Sequence, residues 1–315
     1  MIVYQIPVLY RWAVILLLSS CVRPASESSA PVHRGEDTLL ISVKDTPATD
    51  ELPDSLFVRV GRAVHVEDYF TFMDSIITSF GPAVDYPLTE HLLVHANTWI
   101  LDTLVNTDYY YQLQQGNFVY DQRKLTVLKP GDSLYIPGKD EVATLQHKLN
   151  ATFLDVNIPE YTLRIYRNDT VLYSFPVRVG RNSRRYLKTA GREVDLRTPI
   201  GIGKIVRIDR DPDFVDPVTG KAFSTTQRDD GRRTMMPQIP WLEPEINGIR
   251  SGALIHPTTN PITLGKAYSN GCIGTPEGAA WLIYYHAPVG TKVVFRYDLR
   301  ITDQDGNDRV LEDIY

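Results

Sequence analysis

The residues best suited to catalyse a reaction are a cysteine, Cys272, and a histidine, His256, which precedes it by 16 positions. Cys272 lies between two close glycines, which allow sharp turns and close approach of a substrate to backbone N–H groups. A helix is predicted directly afterwards, with Thr275 as its N-cap and Pro276 at its first position. Because a helix N-terminus favours a thiolate, we expect a lowered thiol pKa and a nucleophilic Cys272.

His256 ends an apolar strand, where a side chain can be held rigidly over a site. An imidazole accepts a thiol proton near neutral pH, so His256 is the candidate base. The N–H groups of Gly271 and Cys272 are candidates for stabilising an oxyanion. A single cysteine or histidine is more often a buried structural residue, but the two in this arrangement favour catalysis.

The elements that must position this pair are short strands that follow one another closely from about residue 151. Such spacing, without helices between successive strands, predicts an antiparallel sheet, a sandwich or a barrel. We therefore expect a mainly β domain over residues 150–299, with a helix after the nucleophile. The predicted strands are 151–158, 161–166, 171–179, 201–208, 253–255 and 292–297.

Five motifs in this region occur in the order found in one known family. They are Leu154–Tyr166 (an opening hairpin), Phe175–Gly180, Thr198-Pro-Ile-Gly201, His256 followed by Ser269-x-Gly271-Cys272, and Val289–Phe295. Together they resemble the catalytic domain of the YkuD-type L,D-transpeptidases. The resemblance implies a β-sandwich with a helix after the nucleophile, and acyl transfer on peptidoglycan stem peptides through a thioester.

The resemblance also implies a role for each matching residue, and it requires neither a metal nor an organic cofactor. The thioester gives crosslinks or exchange of the terminal D-amino acid, and hydrolysis would make the same site an L,D-carboxypeptidase. The implied roles are Cys272 as nucleophile, His256 as general base and acid, Gly271 as oxyanion N–H donor, Ser269 as loop-orienting residue, and Asn270, Gly274 and Pro257 as substrate contacts.

Two positions depart from the family pattern. Asn270 stands where members usually have histidine, and Gly274 stands where many have arginine or asparagine. Gly274 predicts the loss of a contact that orients either the nucleophile loop or the substrate. The alternative function is therefore a wall-tethering protein that binds peptidoglycan without turnover. A papain-like hydrolase is disfavoured, because its cysteine would precede its histidine.

The N-terminus predicts export and lipid anchoring. An apolar run over residues 12–18 is too short to span a bilayer and is typical of a signal peptide over residues 1–20. Leu-Ser-Ser followed by Cys21 resembles a lipobox, although a plain signal peptide with a chance cysteine is the alternative. Residues 21–55 are predicted to be a flexible tether. We expect a periplasmic protein anchored in a membrane through lipid on Cys21, with the outer membrane favoured.

The remaining segments carry no recognisable catalytic or metal-binding motif. Residues 56–145 predict a small α+β domain whose final part resembles the closing half of a LysM glycan-binding module, and a domain that merely packs on its neighbour is the alternative. His91 and His95 would share a helix face, but no third metal ligand accompanies them. Residues 300–315 are predicted to be a C-terminal tail. The net charge of −5 argues against a nucleic-acid partner.

Overall fold

The computed structural model describes residues 56–302 and 306–315. The predicted signal peptide, Cys21 and the tether lie outside these residues, so they stay predictions. Within the described residues, no helix has the length and apolar character to cross a membrane.

Among the described residues up to 150, the N-terminal part of the chain, there are five α-helices and two small two-stranded sheets. In these sheets β1 pairs with β4 and β2 with β3. In chain order the elements are β1 Leu56–Arg59, β2 Val64–His65, α1 Val66–Phe80, α2 Glu90–Ala96, α3 Trp99–Val105, α4 Tyr109–Gln114, β3 Thr126–Leu128, β4 Ser133–Ile136 and α5 Lys139–Asn150.

Residues 97–115 form two helices, α3 and α4, rather than one continuous helix. The carboxylate of Asp108 accepts hydrogen bonds from the N–H groups of Tyr110 and Tyr111, at 2.8 and 3.1 Å, and so caps α4. An N-cap residue is not helical itself, and the chain therefore turns between the two helices. The LysM-like character of this part stays a prediction.

The C-terminal part is mainly β, as expected, and the predicted helix after Cys272 is present. Its elements are β5 Thr152–Asn157, β6 Thr162–Arg167, β7 Thr170–Pro176, β8 Val179–Gly180, β9 Arg184–Leu187, β10 Arg192–Asp195, β11 Gly201–Asp209, β12 Thr225–Gln227, β13 Arg233–Met235, β14 Trp241–Ile246, β15 Ile255–Pro257, β16 Ala267–Ser269, β17 Ile273–Thr275, α6 Glu277–His286, β18 Lys292–Arg296, β19 Arg300–Thr302 and β20 Asp308–Val310.

One eight-stranded sheet dominates this part, in the order β17-β15-β14-β11-β18-β5-β6-β7. Most of its neighbours are antiparallel, as the close strand spacing predicted. Two pairs are parallel, β18 with β5 and β15 with β17. The second pair matters for chemistry because it aligns the chain around His256 with the chain just after Cys272.

One large hydrophobic core runs through both parts of the chain, and a small second cluster lies between α2 and α5. The hydroxyl groups of Tyr69 on α1 and Tyr285 on α6 lie 2.6 Å apart in this core. The buried carboxylate of Glu90 accepts hydrogen bonds from the hydroxyls of Tyr285 and Tyr284. Helix α6 is therefore enclosed by the N-terminal part as well as by the sheet.

Helices α4 and α6 also cap each other. Asp108 accepts a hydrogen bond from the N–H of Gly278 at 2.9 Å, and Glu277 accepts one from the N–H of Tyr109 at 3.1 Å. No residue of α6 itself provides a side-chain cap, and its N-cap is Pro276 rather than the predicted Thr275. The N-terminal part thus fixes the start of the helix that follows the nucleophile loop.

Candidate active site

Cys272 lies in the short loop between β16 and β17, and His256 lies in the middle of β15. In the parallel pair of β15 and β17, His256 is the register partner of Gly274. Side chains alternate between the faces of a sheet, so Cys272 and position 274 share a face with His256. The N–H of Leu254, just before β15, contacts the Cys272 sulfur at 3.4 Å. The structure thus brings the two predicted catalytic residues together on one face.

The tautomer of His256 follows from its hydrogen bond. Its Nδ1 atom lies 2.8 Å from the carbonyl oxygen of Pro257, and a carbonyl only accepts, so Nδ1 carries the proton. Nε2 is left with a lone pair. The indole ring of Trp241 packs on the imidazole, with ring centroids 5.1 Å apart. Phe214 packs on the far side of Trp241, at 5.6 Å.

Burial sets the protonation state of both groups. It raises the pKa of the Cys272 thiol, although the Leu254 N–H and the Arg178 guanidinium oppose the rise. Burial, together with the positive charge of Arg178, lowers the pKa of His256 to about 4. At neutral pH the pair therefore rests as thiol and neutral imidazole. The expected lowering of the thiol pKa is wrong, because α6 begins only at Glu277 and desolvation outweighs its N-terminus.

The loop that carries Cys272 is held together by Ser269. Its hydroxyl donates to the carbonyl of Cys272 at 2.6 Å and accepts from the N–H of Gly271 at 3.2 Å. Gly271 has φ of +110°, a conformation that favours glycine. The Gly271 N–H is thus engaged in this loop, while no acceptor among the described residues binds the N–H of Cys272.

Thr198 holds the same loop from the other side. Its buried hydroxyl donates to the carbonyl of Gly271 at 3.0 Å and accepts from the N–H of Gly180 at 2.8 Å. The hydroxyl of Tyr315 accepts from the Thr198 N–H and donates to the Gly180 carbonyl, both at 2.9 Å. Neither residue was assigned a role from the sequence. The Thr-Pro-x-Gly motif was the available signal for Thr198, and Tyr315 had none.

A cavity of about 770 Å³ opens at the nucleophile loop. This volume is in the range of small-molecule sites. Of the three predicted substrate contacts, Asn270 lines the cavity, whereas Gly274 and Pro257 are buried in the sheet. The other walls come from the β9–β10 hairpin, the turn before β11 and two tyrosines: Leu187, Arg192, Val194, Thr198, Ile200, Tyr297 and Tyr315.

Three buried polar atoms around this site have no hydrogen-bond partner among the described residues. They are Nε of Arg178, Nε1 of Trp241 and Oδ1 of Asn270. Buried polar groups are normally paired, and unpaired ones often mark function. Sequence reasoning missed Arg178 and Trp241, because nothing in their own segments indicates that they approach Cys272.

The insertion over residues 209–236 lies on the His256 side of the site. The carboxylate of Asp229 accepts from the side chain of Asn260 at 3.0 Å and from the N–H of Ile262 at 2.7 Å. The Tyr110 hydroxyl of α4 accepts from the Asp229 N–H at 2.9 Å. The insertion thus joins the N-terminal part to the loop that follows His256.

The histidines considered as metal ligands have structural partners. His91 and His95 contact the carbonyl oxygens of Tyr284 and Tyr285, at 3.1 and 2.8 Å. Across residues 56–302 and 306–315, no group of three or more acidic, histidine or cysteine residues is placed to hold a metal ion.

Comparison with known proteins agrees with this geometry. The family model of the L,D-transpeptidase catalytic domain, YkuD, matches residues 151–295. Among curated proteins, none matches the chain.

Several solved structures of L,D-transpeptidases are similar to the chain at low identity. L,D-transpeptidase 1 of Mycobacterium tuberculosis is 19% identical, with 46% of this chain and 61% of that one covered and a TM-score of 0.30. The enzyme of Mycobacterium smegmatis is 14% identical, with 53% and 63% covered and a TM-score of 0.32. That of Xylanimonas cellulosilytica is 13% identical, with 80% and 100% covered and a TM-score of 0.34.

The chain spans less than two thirds of the length of the two mycobacterial structures. The likeness rests on the family model, whose boundaries enclose the large sheet up to Phe295, the loop that carries Cys272, and α6. Residues 151–295 of this chain therefore match the L,D-transpeptidase catalytic domain of the YkuD family.

Proposed function

We propose that this domain transfers acyl groups on peptidoglycan stem peptides, with Cys272 as nucleophile and His256 as general base and acid. The observation that carries the proposal is that His256, in register with Gly274, lies on the same sheet face as Cys272, which lines the cavity, and that protonation at Nδ1 leaves His256 Nε2 a lone pair. A neutral imidazole beside a neutral thiol is the resting state that general-base activation requires.

In the first half of the reaction, Nε2 of His256 takes the thiol proton and the sulfur attacks the carbonyl carbon of an L,D-peptide bond. A carbon–sulfur bond forms, and the Cys272 N–H, which has no acceptor among the described residues, is available to the oxyanion. The carbon–nitrogen bond then breaks. The imidazolium protonates the leaving amine, and the terminal D-amino acid departs.

In the second half, an amine from another stem peptide attacks the thioester. His256 accepts the proton of that amine, the carbon–sulfur bond breaks, and the sulfur regains a proton. A crosslink results. Water in place of the amine would give a carboxypeptidase, and a free D-amino acid would give exchange.

The proposal extends to location. Export and lipid attachment at Cys21 would hold the domain close to the wall, on the tether of residues 21–55. Mass spectrometry of the protein purified from bacterial membranes tests this directly. We expect a diacylated N-terminal Cys21, and an unmodified Cys21 within an intact N-terminus would contradict the anchor.

The nucleophile is tested by intact-protein mass spectrometry of the full chain incubated with a carbapenem, an acylating β-lactam. We expect one covalent adduct on the wild type, none on Cys272→Ala and slowed formation on His256→Ala. His147→Ala is a matched control, because His147 is exposed on α5. Absence of an adduct, under conditions in which a thiol reagent labels Cys272, would instead favour the non-catalytic binding protein.

A further inference from the structure

Arg178 occupies an unusual position beside the reactive pair. Just before β8, its backbone pairs with Gly274: the Arg178 N–H donates to the Gly274 carbonyl at 2.9 Å, and the Gly274 N–H donates to the Arg178 carbonyl at 3.0 Å. On the opposite side, Gly274 is in register with His256. Gly274 therefore lies between Arg178 and His256.

The side chain of Arg178 fills the space above Gly274. A Cβ atom added at position 274 would lie 2.4 Å from Nε of Arg178 and 2.6 Å from its Cγ, which is closer than any real contact. The φ angle of Gly274 is not in the left-handed region, so its backbone does not require glycine. Glycine is needed here to make room for Arg178, on the face that also carries Cys272.

The charge of Arg178 has no partner. Its Nε is buried without a hydrogen bond, and its Nη1 makes only a long contact of 3.4 Å with the Thr263 hydroxyl. Within the part of the chain that the structure describes, no carboxylate forms an ion pair with it. Arg178 is half-buried, and placing a guanidinium away from water without an anion is costly, so its position points to an anion that forms during the reaction.

The charged and titratable groups around Arg178 identify that anion. Cys272, Tyr268 and the cation Arg181 are close enough to interact electrostatically with the Arg178 guanidinium. Arg178 in turn interacts electrostatically with His256. Its positive charge partly offsets the rise that burial causes in the pKa of the Cys272 thiol, and it lowers the pKa of His256. Across the cavity the thiol also faces Arg192 and an Asp195–Arg197 ion pair, both open to solvent and therefore screened.

We propose that Arg178 is the counter-ion of the Cys272 thiolate, supplied from a neighbouring strand through the space that Gly274 leaves open. It is a positioning residue and takes no proton. When the sulfur–hydrogen bond breaks and the proton moves to Nε2 of His256, the guanidinium balances the charge left on sulfur. The inference rests on the proposed nucleophilic role of Cys272.

The test is the pH dependence of iodoacetamide alkylation at Cys272 in the full chain, followed by peptide mass spectrometry. Replacing Arg178 by glutamine should raise the midpoint of the rate profile by about one pH unit, which means about tenfold less thiolate at pH 7. Arg178→Lys should restore at least half of this shift. Arg192→Gln removes a screened cation of the same cavity and should move the midpoint by less than about 0.3 pH unit.

A second variant displaces the guanidinium without removing it. Gly274→Ala forces Arg178 aside, and we expect its midpoint to rise by about half a pH unit or more, which gives a readout even if Arg178→Gln does not fold. Smaller shifts in the folded variants, or an equal shift in Arg192→Gln, would overturn the inference. Carbapenem acylation of the wild type reports separately on the proposed function, so either idea can fail without the other.

Discussion

The ion pair between Arg228 and Glu277 offers a sharp test of how the site is supported. Arg228 belongs to the insertion and Glu277 to the first turn of α6, and their side chains are 0% and 1% exposed. Arg228 also donates to the Thr234 hydroxyl and the Gln122 side-chain carbonyl, each at 2.7 Å. Its guanidinium lies 4.4 Å from the ring centroid of Tyr109. One side chain thus joins the insertion, the N-terminal part and α6.

Arg228→Met should leave the Glu277 carboxylate buried without its counter-charge. Breaking one partner of a buried pair costs about 3–5 kcal/mol, because the remaining charge is uncompensated. For a chain of this size, each kcal/mol lowers the melting temperature by about 2–4 °C, so we expect a fall of roughly 6–20 °C. Because burial raises the pKa of Glu277, the loss should be smaller at pH 5 than at pH 8.

The assay is calorimetric or fluorescence-detected unfolding at both pH values, with carbapenem acylation measured beside it. Arg232→Met is the matched control, because this arginine of the same insertion is 50% exposed and lies 3.8 Å from Asp230. Such pairs contribute about 0–1 kcal/mol. Adding Glu277→Gln to Arg228→Met should recover part of the loss. A destabilisation no larger than that of Arg232→Met would refute the reasoning.

Three further predictions concern the site and its support. Acylation of Cys272 should depend little on pH between 6 and 8, because His256, with a pKa of about 4, is already neutral there and the thiol, whose pKa burial raises, is still protonated. A stopped-flow pH profile with an inflection at pH 6–7 would contradict this protonation state. Thr198→Val leaves the Gly271 carbonyl without its hydrogen bond, so it should lower the free energy of unfolding in urea by about 1–3 kcal/mol and slow acylation. Thr198→Ser should restore stability and rate, and a Thr198→Val variant with unchanged stability and rate would count against the loop contact. Deleting residues 56–145 uncovers α6 and should leave an unfolded or aggregated chain by circular dichroism and sedimentation, whereas a folded fragment would show that the shared core is dispensable.

The sequence predicted the strands of the hairpins in the large sheet well, because these strands depend on local information. Apolar alternation and turn residues define the two hairpins of β5, β6 and β7 within three residues. The Gly-Cys loop before a helix is likewise visible in a short window, as is the histidine at the end of an apolar strand.

The remaining features depend on contacts between distant segments. Arg178 meets Gly274 only when β8 and β17 come together, and no local pattern indicates this pairing. The mutual capping of α4 and α6 joins residues 108 and 278. The sequence predicted a lowered pKa for the Cys272 thiol because the nearby helix start is visible in it. The desolvation that raises this pKa arises from distant segments that fold around Cys272.

The measurement that tests the central claim most directly is a reaction with a donor stem tetrapeptide, quenched in acid and examined by mass spectrometry. The account predicts a thioester on the Cys272 peptide that carries the donor without its terminal D-amino acid, together with release of that amino acid. Neither should occur with Cys272→Ala. Release of the D-amino acid by Cys272→Ala, or an unchanged donor with a freely alkylated Cys272 in the wild type, would contradict the account.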